Sequence, residues 1–336
     1  MTARAPGALE RELKTLLGAG AVLPGTSRAY LSDATESRNL KGRADAIALP
    51  GTADQVAETV AWCYARDVPV IPRGGGTGFT GGAVPMNGGV VLSLERINKM
   101  RHLDPGLWRA AAEAGMITAD LRRRARENGL FYPPDPGSGE QSQLGGNIAT
   151  NAGGPHAFKY GVTGAWVTGL EVVLAPGELV GIGGPIRKDV AGYDLKSLLI
   201  GSEGTLGVVT AAWVKLIPAP EAALPLAAFY EDTQTGCAGI EAALASGVTP
   251  AALEYLDAGA VKATKGAFPA QIPDEAQFMV IADADGSAEE AARIHAELQE
   301  VLTDHALLVH APTETREINA LWRWRDGASH AVTAQR

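Results

Sequence analysis

The sequence predicts an α+β chain of two domains, the first of them divided, and three observations lead there. Strand-like and helix-like apolar patterns alternate along the chain. With 336 residues, 46% of them hydrophobic, it can fill more than one packed core. Pro218 and Pro220 break the chain, and beyond them the elements run β-α-β, β-α-β, the order of a ferredoxin-like sheet with helices on one face.

The elements follow in order. Residues 45–50 read as a strand and 53–66 as a helix, with Val56, Val60, Cys63 and Tyr64 on one face and Thr52 with Gln55 as a capping box. Residues 68–72 return as a strand, closing a β-α-β unit. Strands follow at 89–94 and 99–103, then a helix over 119–128 capped by Thr118 and carrying Leu121 and Ala125. A proline-rich turn occupies 133–136, strands 167–174 and 207–217 flank a short helix near 192–200, and the domain boundary falls near 218–225. Then come strand 226–230, helix 235–245, strand 251–256, helix 258–264, strand 277–283, helix 288–302 with Ser287 and Glu290 as a capping box, strand 306–310 and helix 313–327. The expected domains are 1–222, with subdomains of about 1–98 and 99–222, and 223–336.

Composition excludes several classes. A net charge of −9 and no basic tract argue against nucleic-acid binding; Arg122, Arg123 and Arg124 read as one solvated helix face. Two isolated cysteines, Cys63 and Cys237, suggest a reducing compartment and no structural zinc. The first eighteen residues lack an apolar signal-peptide core and no apolar run spans a bilayer. The expected location is the cytoplasm, with peripheral contact to a membrane left open.

More than half of the 41 glycines concentrate at 74–89, 137–169 and 181–207. Such clusters mark backbone that takes unusual angles or touches something closely, so three of them point to three loops converging on one large ligand rather than to three unrelated turns. In the first, Arg73-Gly74-Gly75-Gly76-Thr77-Gly78-Phe79-Thr80-Gly81-Gly82 follows a strand. Inward-turned N–H groups of consecutive glycines form a nest for phosphate oxygens. Gly76, Gly78 and Gly81 also fit a dinucleotide fingerprint, but that motif needs a helix to start at the loop, and the continuation through Pro85 and Gly88-Gly89 forbids one. The second cluster places Pro133, Pro134 and Asp135 in a rigid turn before Gly145-Gly146-Asn147, Asn151-Ala152-Gly153-Gly154 and Lys159-Tyr160-Gly161. The third is Gly192-Tyr193-Asp194-Leu195 with Gly201-Ser202-Glu203-Gly204-Thr205-Leu206-Gly207.

PRGGGTGFTGG, PPDPGS…LGGNIATNAGG…KYG and GYDL…GSEGTLG, in that order, resemble the PCMH-type FAD-binding domain of the vanillyl-alcohol-oxidase superfamily, in its glycolate oxidase D-subunit, D-lactate dehydrogenase and D-2-hydroxyglutarate dehydrogenase branch. The resemblance covers about residues 40 to 330. It implies that Arg73, Gly74, Gly75, Gly76, Thr77, Gly78 and Gly81 hold the FAD pyrophosphate. Pro134, Asp135, Gly145, Gly146, Asn147, Asn151, Gly153 and Gly154 would line the flavin and its ribityl chain, Tyr160 and Gly161 would close that side, and Glu203, Gly207 and Val208 would meet the adenosine or flavin edge. Some relatives attach flavin through a histidine in the first loop; Thr77 stands there, so the FAD is expected to be noncovalent. Gln143 departs from the small hydroxyl residue common in relatives.

Residues 226–336 resemble the start of the family's substrate domain. Glu254-Tyr255-Leu256-Asp257 and Leu321-Trp322-Arg323-Trp324-Arg325 match its strings. The resemblance gives Arg325 the grip on a 2-hydroxy acid's carboxylate, a planar bidentate pairing, with Ser329 as a weaker contact one turn on; on spacing alone Arg325 reads as an exposed arginine of a terminal helix. Relatives continue with HxGDGNxH and EHG strings that supply a divalent metal and a base. Neither occurs here, so the expectation is a partial, C-terminally truncated substrate domain, no metal site and no assigned catalytic residue. His156 reads as a surface or loop histidine. The expected reaction is oxidation of a D-2-hydroxy acid to the 2-oxo acid. The alternative is an FAD-binding subunit completed by a partner chain or passing electrons to an acceptor.

Overall fold

The computed structural model describes residues 7–35 and 39–334. The reading of the first residues as lacking a leader falls partly outside them, as does the chain end at Arg336. Two compact units are present: one of residues up to Tyr132, Ser138–Ala152 and Val162–Pro218, the other of Pro133–Gly137, Gly153–Gly161 and Ala219 onward.

The first unit holds strands β1 (Val22–Pro24), β2 (Ala46–Ala48), β3 (Val70–Arg73), β4 (Val90–Ser93), β5 (Met100–Asp104), β6 (Arg109–Glu113), β7 (Leu130–Phe131), β8 (Val167–Leu174), β9 (Glu178–Gly183), β10 (Val208–Lys215) and β11 (Ile217–Pro218). Its helices are α1 (Ala8–Leu17), α2 (Ala53–Tyr64), α3 (Thr118–Arg126), α4 (Leu144–Thr150) and α6 (Leu195–Leu199). One sheet has the order β1-β2-β4-β3, with β2 and β3 both parallel to β4. The expected β-α-β unit is therefore present, with β4 inserted between its two strands, and Ile47, Leu49 and Val91 form its buried apolar centre. The second sheet, β5-β6-β10-β8-β9, is antiparallel throughout. Thr52 caps α2 by accepting from the Gln55 N–H at 3.2 Å, and the Gln55 side chain reaches back one residue further than a capping box requires, to the Gly51 N–H. Thr118 does not cap its helix. It is the first helical residue, and its buried hydroxyl bonds the Ser142 carbonyl and the Asn147 amide instead.

The second unit contains α5 (Ala157–Tyr160), β12 (Ala222–Tyr230), α7 (Thr233–Ala245), β13 (Ala252–Leu256), α8 (Ala258–Thr264), β14 (Phe278–Gly286), α9 (Ala288–Thr303), β15 (Leu308–His310) and α10 (Thr315–Ala334). The sheet order β13-β14-β12-β15, antiparallel at every pair, is the ferredoxin-like order. Helices cover both faces rather than the expected one. Leu226, Ala228, Tyr230, Val280 and Ala282 share a core with Ile294 and Leu298 of α9. Ala227, Phe229, Met279 and Ile281, one residue out of step, pack with Val261 of α8 and Leu321 and Trp324 of α10. Successive strand residues point to opposite faces, so central strands that are apolar at every position demand two covers. Helix α7 lies close to the sheet because Gly236 has no side chain: a Cβ there would fall 2.1 Å from the Phe278 ring.

Candidate functional site

In the first unit the loop after β3 forms a cradle. Arg73 folds back under it and holds its shape. The guanidinium donates to the Ser32 carbonyl at 2.7 Å and the Ala29 carbonyl at 2.9 Å, and lies over the Tyr30 ring. The Arg73 side chain thus shapes the loop, and the backbone is left facing outward. Among the described residues, no backbone N–H from Gly75 to Gly82 donates to a protein acceptor. A Cβ at Gly75 would fall 2.2 Å from the Gln141 carbonyl oxygen, whereas one at Gly78 would meet nothing within 4 Å. Glycine is needed at the first position for packing and is open to a ligand at the second. No helix follows this loop, which disposes of the dinucleotide-fingerprint reading.

Parts of the other two clusters, α4 and the turn around Glu203, meet this loop within the same unit. Gly74 faces Gly146 of α4 closely enough that a Cβ on it would lie 3.4 Å from the Gly146 Cα. Local propensity carries no sign of α4, since two glycines argue against a helix; Gly145 packs instead on Ala114, to whose carbonyl its N–H donates at 2.8 Å. Asn147 is buried and donates to Thr118 at 2.7 Å. Asn151 ends α4 in the left-handed conformation, φ 50°, its side chain accepting from the Gly164 N–H. Glu203, also left-handed at φ 53°, accepts from the Thr80 hydroxyl at 2.8 Å and donates its N–H to the Ala149 carbonyl. Gly207 abuts Val172 and Leu174, and Val208 is buried at the start of β10. Thr77 and Gly81, the latter at φ 82°, lie within the cradle. The Gln143 Oε1 is buried without a partner, an acceptor waiting for a donor. Unbonded N–H groups on a glycine-rich loop, beside an unpaired buried acceptor, fit the pyrophosphate and polar edge of a dinucleotide such as FAD.

The second unit carries a different arrangement. Pro133–Gly137 and Gly153–Gly161 pack with the C-terminal sheet, so Pro134, Asp135, Gly153, Gly154, Tyr160 and Gly161 belong to this unit. Gly154 lies against Asp135, and Gly161 ends α5 at φ 77°. His156 is not a surface histidine. Its side chain is 13% exposed; Nδ1 is 2.5 Å from Asp135 Oδ2 and Nε2 is 3.0 Å from Asp283 Oδ2. Burial pushes the imidazole pKa down, but the two carboxylates outweigh burial and raise it to about 9. The Asp283 carboxyl is pushed up by burial despite the imidazolium. Next to it on β14, Asp285 accepts from Lys159 Nζ and Tyr160 Oη, both at 2.6 Å. Burial and Asp285 together push the Tyr160 hydroxyl well up. The signal for this cluster is legible afterwards: FMVIADADG is a strand buried along nearly its whole length, and aspartates at i and i+2 on one face require cations.

Arg325 lies on α10, bonded bidentately to Glu254 of β13 through Nε at 2.7 Å and Nη2 at 2.5 Å. Its Nη1 reaches Asp326 only at 3.4 Å. Burial lowers the guanidinium pKa, but Glu254 outweighs it and holds it up. Ser329, one turn on, is exposed. Among the described residues there is no group of three metal-ligating side chains and no helix long and apolar enough to cross a membrane. Cys63 is buried and Cys237 exposed; Arg123 pairs with Asp120 and Glu127 on a solvated face.

Comparison with known proteins agrees with both units. An FAD binding domain matches residues 44–183, and the C-terminal domain of FAD linked oxidases matches 219–336. The chain is 40% identical over 264 residues to the glycolate oxidase subunit GlcD of Bacillus subtilis, covering 79% of this chain and 56% of that protein. It is 37% identical over 256 residues to a D-lactate dehydrogenase of Anaerostipes hadrus, covering 74% and 54%. It is 46% identical over 175 residues to a D-2-hydroxyglutarate dehydrogenase of Xanthomonas citri pv. viticola, covering 52% and 37%. The chain thus spans about half the length of the first two of these relatives and less of the third. Among solved structures, alkyldihydroxyacetonephosphate synthase superposes with TM-score 0.78 at 20% identity over 99% of this chain and 63% of that one. p-Cresol methylhydroxylase gives 0.76 at 18% over 95% and 70%; both show the fold. With a cradle suited to a dinucleotide in one unit and the oxidase sheet in the other, the chain belongs to the FAD-linked oxidoreductases that include the glycolate oxidase, D-lactate and D-2-hydroxyglutarate dehydrogenase relatives.

Proposed function

We propose that the chain takes part in oxidising a D-2-hydroxy acid, of the size of glycolate or D-lactate, to the 2-oxo acid. Bound FAD supplies the hydride acceptor, flavin N5. In this reading residues 1–222 form the FAD-binding domain and 223–336 the substrate domain. The N–H groups of Gly74–Gly78 and Gly81 bind the pyrophosphate in a loop that Arg73 and Thr77 complete. Gly145, Gly146, Asn147 and Asn151, with Pro134, Asp135, Gly153, Gly154, Tyr160 and Gly161, line the flavin, and Glu203, Gly207 and Val208 bound its edge. Attachment is noncovalent, since the loop presents Thr77 and no histidine.

The observation that carries the substrate class is Arg325. Glu254 occupies one edge of its guanidinium and fixes its plane, and the Nη1 side carries only the long Asp326 contact. A second carboxylate can take that side, with Ser329 at the rim. Both His156 ring nitrogens are taken up by carboxylates, those of Asp135 and Asp283, so neither is free to serve as the base.

The test is an anaerobic absorbance titration of the purified chain with FAD, then glycolate, D-lactate and D-2-hydroxyglutarate in turn, with and without a divalent cation. Bleaching of the flavin bands by one acid supports the reading. Absence of flavin binding overturns it. A second reading rests on the relative named as a subunit of glycolate oxidase: the chain works together with a partner chain. It is supported if flavin binds but bleaches only after a partner is added.

A further inference from the structure

We propose that His156 is a positioning residue for the flavin: by bridging Asp135 and Asp283 it fastens the segments Pro133–Gly137 and Gly153–Gly161 to strand β14 as one rigid surface. The proposal rests on the reading that these segments line the cofactor.

The geometry is a two-sided clamp. Asp135 gives both oxygens to residue 156, Oδ2 to the ring and Oδ1 to the backbone N–H at 3.2 Å. The far ring nitrogen bonds Asp283, which is 1% exposed. Trp322 of α10 lies beside the ring, with centroids 5.5 Å apart and planes tilted by 36°. Three and four residues on, Lys159 and Tyr160 occupy the two oxygens of Asp285. A short stretch of glycine-rich backbone is therefore fastened at two buried acids, and no other side chain bonds Asp283 among the described residues.

Both ring nitrogens are committed to carboxylates, so His156 works by fixing its neighbours and not by exchanging a proton with substrate. The clamp needs the imidazolium, because a neutral ring donates from one nitrogen only. The surrounding charges are Asp135 from the proline turn, Lys159 and Tyr160 from α5, Asp283 and Asp285 from β14, Glu254 from β13, Arg325 and Asp326 from α10, and Glu290 and His295 from α9. The two carboxylates bonded to it, Asp135 and Asp283, keep the ring charged. The raised pKa of about 9 agrees. Above it one bond of the clamp is lost and a buried carboxylate is left without its donor.

The test uses the full chain without and with FAD. Amide hydrogen exchange across Gly153–Gly161, taken relative to the intrinsic base-catalysed rate at each pH, is measured on the apo chain, and FAD affinity by quenching of flavin fluorescence, at about pH 7 and about pH 10 on either side of the ring's titration. The proteins are wild type, His156→Gln, Asp135→Asn and the double variant His156→Gln/Asp283→Asn, which removes both charges of the buried His156–Asp283 pair and keeps a fold in hand. At the lower pH, His156→Gln and Asp135→Asn are expected to raise exchange in this segment and weaken FAD binding about tenfold by lost preorganisation. Wild type is expected to show the same change on going to the higher pH, and the double variant none. Wild-type exchange and affinity in His156→Gln, or an unchanged wild type across the pH range, overturn the proposal. Raised exchange with unchanged FAD affinity also overturns it, since the fastening then does not serve the cofactor. If wild type binds no FAD at all, the flavin assignment fails, and exchange alone then decides whether the clamp exists.

Discussion

The cradle loop yields a paired test in Gly75→Ala and Gly78→Ala. The two changes add the same methyl group three residues apart with opposite surroundings. At Gly75 the new carbon would lie 2.2 Å from the Gln141 carbonyl oxygen and 3.0 Å from its carbon. Ordinary contact needs about 3.4 Å or more, so the backbone has to give by roughly 1 Å, an overpacking that costs about 1–3 kcal/mol. For a unit of this size that lowers the melting temperature by roughly 2–4 °C per kcal/mol, so by about 6 °C in mid-range. At Gly78 the methyl meets nothing within 4 Å, and apo stability stays within about 0.5 kcal/mol of wild type. If the unbonded N–H groups bind a pyrophosphate, that same methyl stands where the ligand must approach, and the FAD Kd rises about tenfold or more, at least 1.4 kcal/mol. Differential scanning fluorimetry of the apo proteins and flavin fluorescence titration read the two quantities separately. Gly78→Ala that binds FAD as wild type does, or Gly75→Ala that melts at the wild-type temperature, refutes the reasoning.

The remaining predictions are these. Because the folded-state pKa of His156 is raised from 6.5 to about 9, its stabilisation is fully present below about pH 6.5 and fades as pH rises through 9. That raise corresponds to at most about 3 kcal/mol, part of it offset by the burial of Asp283, and is visible as a urea midpoint that falls as pH rises and that Asp283→Asn flattens. Tyr230→Phe removes a buried hydroxyl bonded to the Leu302 carbonyl at 2.7 Å and lowers stability by about 1 kcal/mol in denaturant melts. Arg325→Lys loses the bidentate fork to Glu254 and is expected to raise KM for the hydroxy acid about tenfold or more, with a smaller change in kcat; an unchanged KM removes Arg325 from the substrate site. Gly236→Ala drives a methyl into Phe278 and costs about 1–3 kcal/mol, with CD-monitored unfolding as the measure.

Much of this was legible in the residues because local pattern and final environment agree. The β-α-β unit, the ferredoxin-like order and the non-helical first loop all follow from apolar periodicity and from where proline and glycine stand. What escaped depends on contacts between distant residues. Helix α4 contains Gly145 and Gly146, which local propensity rejects; their packing on Ala114 and against Gly74 decides otherwise. Thr118 has the residue type of a cap, yet its hydroxyl is bonded into a buried set with Ser142 and Asn147. Helices on both faces of the second sheet were hidden because a strand apolar at every position resembles any buried segment. His156 was read from its glycine-rich neighbours and not from its partner, which lies 127 residues further on.

The two aspartates near the end of β14 also bear on how this chain can be divided. Their cations come from residues 156 and 159, far upstream of Pro218. A piece beginning at Ala219 would contain the whole four-stranded sheet and still be an unfinished object, with two acids at 1% and 2% exposure and neither counter-ion. Charge left so in an apolar face is expelled by protonation or by opening of the sheet. What counts as the C-terminal half is therefore a matter of electrostatics more than of chain order, and a piece that respects it has to include Pro133–Gly137 and Gly153–Gly161 as well as the residues from Ala219 onward.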